Sequence, residues 1–292
     1  MKTALCLALA ASTALANPGR IVVNADEWTL SNSANWSPAG SAAFAPNIAA
    51  FLTGMPSGAK ILAHSQNFGL TGSNLANAMT AAGHTWTVDT AQPFTLATLS
   101  QYDAVFVGGR VNGADPDTQP LIDYVNAGGS VFIMGGCGTT GGYGGNPVLE
   151  AAAWNPFLNA FGLAFSEVYD AGSGTFDPPD ADHPIFAGVD ALFQSVGQGI
   201  IDLDPDDDAA VTFLNFIVNQ DETRGRYAVY DGANACPADL AAPFGTLNFF
   251  DVAAFIALYN AQDPAADLAA PAGVFNFFDV AAFIAAYNAG CP

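Results

Sequence analysis

The sequence predicts a parallel α/β sheet flanked by helices, followed by a small all-α unit of two repeats. Three observations lead there. Between residues 60 and 134, short apolar runs rich in β-branched residues alternate with helical stretches, with glycines closing the elements, the pattern of strands joined by crossover helices. Residues 248–257 recur identically at 276–285, a period of 28 residues, and so faithful a duplication marks a separate domain. The chain is 51% hydrophobic with 22 Phe, enough to bury a sizeable core despite 30 Gly and 18 Pro.

Residues 1–16 carry Lys2, an apolar stretch over 4–11 and the small-residue site Ala14-Leu15-Ala16. This reads as a signal peptide cleaved after Ala16, which makes the mature protein secreted. Residues 20–24, Arg-Ile-Val-Val-Asn, form a short strand. A helix over 41–52 ends at Thr53-Gly54, and 60–64 is the next strand. A helix over 73–82 is closed by Gly83 and leads into a strand over 84–88. The strand over 102–107 runs into Gly108-Gly109, a helix covers 118–126 before Gly128-Gly129, and 131–134 is again a strand. Such folds place ligands at the carboxyl ends of their strands. The α/β domain extends over 17–231, a linker over 232–235 and the repeat domain over 236–292.

Charge narrows the partners. With 27 Asp+Glu against 6 Lys+Arg, the net charge is -21, so the field repels nucleic acid and anionic membrane surfaces. No segment after the signal has about 18 uninterrupted apolar residues, which argues against membrane insertion. The densest acidic run, Asp202, Asp204, Asp206, Asp207 and Asp208, is a solvated loop in one reading and a divalent-cation site in the other.

In the tail, Val252, Phe255, Ile256 and Tyr259 fall at i, i+3, i+4 and i+7, as do Val280, Phe283, Ile284 and Tyr287. Each repeat is thus a loop leading into an amphipathic helix, and the two stripes are expected to bury each other. Cys236 and Cys291 bracket the unit. In an oxidising compartment they suit a disulfide, contributing about 4 kcal/mol in the chain-entropy model, and Cys137 is left unpaired.

The doubled Asn-Phe-Phe-Asp-Val units between terminal cysteines resemble dockerin-type repeats. The resemblance implies an EF-hand-like calcium loop in each repeat and docking onto a cohesin-like or cell-surface scaffold protein. Its metal ligands would be Asp239, Asn248 and Asp251 in the first loop and Asp267, Asn276 and Asp279 in the second. The pattern is degenerate: Asp239 and Asp251 are twelve apart, and Ala241, Ala242, Pro243 and Phe244 stand where carboxylates belong. Weak calcium binding is one reading. Helix capping without calcium is the other, with Asn248 and Asn276 as N-caps and Asp251 and Asp279 completing capping boxes.

Residues 102–109 and 126–135, Tyr-Asp-Ala-Val-Phe-Val-Gly-Gly and Asn-Ala-Gly-Gly-Ser-Val-Phe-Ile-Met-Gly, resemble the class I glutamine amidotransferase-like fold, a flavodoxin-like architecture. In that family a nucleophilic Cys on an elbow ends the second of these strands, and a later His activates it. Here the elbow position is Gly135, and Cys137 follows Gly136 two residues late. Cys137 with His183 is the catalytic pair the resemblance implies, and His183 lacks the family's following Glu; the other reading is an inert small thiol and a surface turn. The ligand cleft would include His64, Ser65, Gln66, Gly135 and Gly136; residues 64–67 either hydrogen-bond a sugar or other neutral ligand there or form a loop that satisfies its own backbone. Asp26 and Glu27, adjacent before Trp28, are expected to point to opposite faces of a strand and so not to share a site.

These features favour an exported, non-catalytic binding component attached through its tail to an extracellular assembly. The rivals are a secreted polysaccharide-degrading hydrolase and, behind it, a Cys-dependent amidohydrolase.

Overall fold

The computed structural model describes residues 19–178, 183–195, 197–203, 211–213, 216–217, 221–232, 237–241, 247–269 and 273–290. The signal segment, Asp204 to Asp208 of the acidic run, and Cys236 and Cys291 lie outside the described residues. The chain forms two compact units, Asn17–Ala235 and Cys236–Cys291.

In the first unit the elements run β1 (Arg20–Asn24), α1 (Ser41–Thr53), β2 (Lys60–His64), α2 (Phe68–Thr71), α3 (Ser73–Ala81), β3 (Thr85–Val88), α4 (Leu96–Leu99), β4 (Ala104–Val107), α5 (Gln119–Asn126), β5 (Ser130–Met134) and α6 (Pro147–Leu158). Short strands follow: β6 (Leu163–Phe165), β7 (Gly174–Phe176), β8 (Leu192–Gln194), β9 (Ile200–Asp202), β10 (Val211–Phe213), β11 (Phe216–Ile217), β12 (Asp221–Gly225) and β13 (Tyr227–Asp231). The main sheet has the order β10-β13-β1-β5-β4-β2-β3. From β1 to β3 every pairing is parallel, while β13 pairs antiparallel with both β1 and β10. Strands β11-β12-β9-β6 form a second sheet, and β7 pairs with β8. The fold is therefore α/β, with a mostly parallel sheet flanked by helices.

The central strands are mostly apolar because both faces are covered. Every residue of β4 and β5 is buried, whereas the edge strand β3 is partly exposed. Phe106 and Phe132 stack across β4 and β5 with centroids 4.7 Å apart, and each buried ring contributes about 2–3 kcal/mol. Helix α1 stops where Gly54 takes a left-handed φ of 67°, a conformation glycine adopts without steric cost.

The second unit contains α7 (Phe249–Ala261) and α8 (Phe277–Ala289). Its core is Ala238, Phe255, Ala266 and Phe283, with the Phe255 and Phe283 rings stacked at 4.1 Å. Val252, Tyr259, Val280 and Tyr287 pack partly buried around it. Ile256 and Ile284 depart from the expected stripe and are 53% and 51% exposed. Packed on each other, α7 and α8 cover only a narrow seam, and the flanking apolar position of each stripe is left outside.

Candidate functional site

The C-terminal ends of the parallel strands carry a buried cluster of acids around one thiol. Strand β1 ends at Asn24, and the chain then turns, its Asn24 Nδ2 donating to the Asp26 carbonyl at 2.9 Å. The period-two rule therefore does not apply at 26–27, and both side chains turn inward. Asp26 accepts the backbone N–H of Trp28 at 2.7 Å and of Ser195 at 3.0 Å. Glu27 Oε2 accepts Asn67 Nδ2 at 2.6 Å and the Thr140 hydroxyl at 2.8 Å. Asn67 is itself fixed as the N-cap of α2, accepting from Gly69 N, while Ser65 Oγ donates to Gly108 O at 2.6 Å.

Glu150 comes from the first turn of α6, where the positive helix end favours an acid. Its two oxygens accept the Cys137 backbone N–H at 3.0 and 3.1 Å, and Oε2 also accepts the Tyr169 hydroxyl at 3.2 Å. Asp26, Cys137 and Glu150 have no exposed surface, and Glu27 is 4% exposed. The glycine-rich segment 138–145 folds closely over them: a Cβ on Gly141 would lie 2.2 Å from Cys137 Cβ. Arg110 holds this segment from outside, donating to Gly142 O at 2.9 Å with its guanidinium 4.8 Å from the centre of the Tyr143 ring.

Burial sets the protonation of the cluster. Desolvation pushes Glu27 up to about 7, against the opposing hydrogen bonds from Asn67 and Thr140. Desolvation likewise pushes Glu150 to about 7 despite the Cys137 N–H. The Cys137 thiol goes well above its ordinary range, first through burial and then through the charges of Glu150 and Glu27. A thiol that keeps its proton is a poor nucleophile. The two glutamates, by contrast, take up or release a proton near neutrality.

The predicted pair is separated. His183 sits at the opposite end of the sheet, where Nδ1 accepts Ile185 N at 3.4 Å and the ring packs 5.2 Å from Phe51, beside Arg20 at the start of β1. Cys137 follows the far end of β5, so the length of a strand, roughly 15 Å, lies between them. The cleft residues also part company. Ser65, Gly135 and Gly136 belong to the shell of the cluster, whereas the His64 ring packs on Phe94 at 4.4 Å. Gln66 is closed on Asn112 through two hydrogen bonds of 2.8 and 2.9 Å. Cavities of about 300 and 540 Å³ open at the start of the strands, away from the cluster. Glu150 was not among the expected residues, although it is the one charged residue of α6.

In the second unit, Asn248 and Asn276 cap α7 and α8, and each forms a capping box with Asp251 or Asp279. Both aspartates are fully buried. Asp239 and Asp267 stand ahead of them in the loops, Asp267 accepting the Gly273 N–H. Among the described residues no group of three or more His, Cys, Asp or Glu is placed to hold a metal ion, and no helix is long and apolar enough to cross a membrane.

No family model, curated protein or solved structure matches the chain.

Proposed function

We propose that the protein is an exported, non-catalytic binding component whose dockerin-type tail attaches an amidotransferase-like, flavodoxin-like domain to a cohesin-like or cell-surface scaffold. One observation carries this reading. Phe249, Phe250 and Ile256 are 75%, 62% and 53% exposed, and their repeat equivalents Phe277, Phe278 and Ile284 are 74%, 65% and 51% exposed. Two identical apolar triplets on so small a unit leave unburied what would otherwise contribute about 2–3 kcal/mol per side chain. Exposed patches of this kind mark protein-docking surfaces. The protonated, enclosed Cys137 and the distant His183 support the non-catalytic half of the reading.

The test is a Phe249→Ala, Phe250→Ala, Phe277→Ala, Phe278→Ala variant of the full chain, compared with wild type on the cells that produce it. Wild type should be retained at the cell surface and the variant released, with unchanged circular dichroism because all four rings are exposed. Equal retention would remove the proposal. Turnover of a polysaccharide or small amide that Cys137→Ser abolishes would move the protein to the enzymes.

A further inference from the structure

The dockerin resemblance implies a calcium ion in each loop, and the residues present do not fit one. Calcium takes six to eight oxygens. In the first loop the carboxylate that would close the site is already occupied. Asp251 Oδ1 accepts the N–H groups of Leu240 and Ala241, both at 2.9 Å, and Oδ2 accepts that of Asn248 at 2.7 Å. The Asn248 amide oxygen accepts Phe250 N at 2.7 Å.

The second loop repeats this. Asp279 Oδ1 accepts Ala269 N at 2.9 Å and Oδ2 accepts Asn276 N at 2.7 Å, while the Asn276 oxygen accepts Phe278 N at 2.7 Å. Asp267 spends one oxygen on Gly273 N; the other is buried without a hydrogen-bond partner, and a single such oxygen does not make a calcium site. The intervening Ala241, Ala242, Pro243 and Phe244, like Ala269, Ala270, Pro271 and Ala272, offer no side-chain oxygen.

We propose that Asp251 and Asp279 replace the cation: each carboxylate gathers the backbone N–H groups at both ends of its loop, and the unit folds without calcium. The electrostatics run opposite to those of a metal loop. There a positive ion collects oxygens; here a negative carboxylate collects N–H dipoles, and a cation in its place would face their positive ends. Charge-assisted bonds to a buried carboxylate are among the stronger hydrogen bonds. Burial alone would push the Asp251 carboxyl up, but the N–H groups of Asn248, Leu240 and Ala241 outweigh it and hold the group below its ordinary range. The inference does not depend on which receptor the tail meets.

Hydrogen exchange on the full chain tests it, read at the amides of Leu240, Ala241, Asn248, Ala269 and Asn276 in millimolar calcium and in excess EGTA. Protection should be the same in both, and calorimetric titration with calcium should give no binding heat. Loss of protection in EGTA, or micromolar calcium binding, would overturn the proposal. Asp251→Asn with Asp279→Asn should lower protection at these amides by about tenfold or more in either buffer, leaving the α/β unit unaffected. Unchanged protection in that variant would also overturn it. A failure of docking with these results intact would count against the receptor reading alone.

Discussion

Replacing Glu27 by Gln should abolish part of an inverse dependence of stability on pH. Glu27 has an ordinary value of 4.5 and is held near 7 in the folded protein. Folded chains therefore keep a proton that unfolded chains lose. The stabilising contribution is complete below about 4.5 and disappears as pH rises through about 7. The difference of about 2.5 units corresponds to about 3 kcal/mol. Glu150 acts in the same sense over the same window, and because its charge also raises Glu27 the two effects are not simply additive. His64 and His84, whose imidazoles burial pushes down, act oppositely, so the quantity to read is the difference between variant and wild type.

Glu27→Gln removes the titration and preserves shape. Its amide oxygen can keep the Asn67 bond, and its NH₂ can donate to the Thr140 hydroxyl, which turns to accept. Urea unfolding followed by tryptophan fluorescence is the assay, because all four Trp, at 28, 36, 86 and 154, belong to the α/β unit. From pH 5 to pH 8 the variant should gain on wild type by about 2.5 kcal/mol, since at pH 5 the unfolded carboxyl is already mostly ionised. Parallel stability curves would refute the placement of a neutral carboxyl in this cluster.

Two further outcomes follow from packing. Cys137 should resist a thiol reagent at neutral pH in the native protein and react fully in urea, whereas rapid native labelling would show the glycine-rich cover to be open. Phe255→Ala removes a 3% exposed ring stacked on Phe283. It should destabilise the second unit by about 3–5 kcal/mol, seen as earlier melting of its helices with the tryptophan transition unchanged.

Local signals carried most of the parallel sheet. The β-branched run at 20–24 and the short apolar run at 60–64 are the observed β1 and β2, and Gly54 ends α1 where a left-handed turn is needed. What local pattern does not hold is long-range pairing. Nothing in residues 227–231 announces that β13 lies antiparallel beside β1, two hundred residues earlier in the chain. The same limit hid the acid cluster, because Asp26, Glu27 and Glu150 meet only when the ends of β1 and β5 and the start of α6 come together. A usable hint existed: a solitary acid among the apolar residues of α6 is costly to bury unless something donates to it. The expected Cys137 and His183 pair failed for the converse reason, since sequence order does not tell which end of a strand a later turn will reach. In the tail, period and capping were legible together, but exposure of Ile256 and Ile284 depended on how many helices share the seam.

Under the proposed reading, attachment to a scaffold runs through the tail and not through the α/β unit. The most direct measurement is the distribution between cell surface and medium of the full chain and of a chain ending at Asp231, both expressed in the producing cells. The full chain should be retained and the shortened chain recovered folded in the medium. Retention of the shortened chain at the full chain's level would show that the tail is not the attachment.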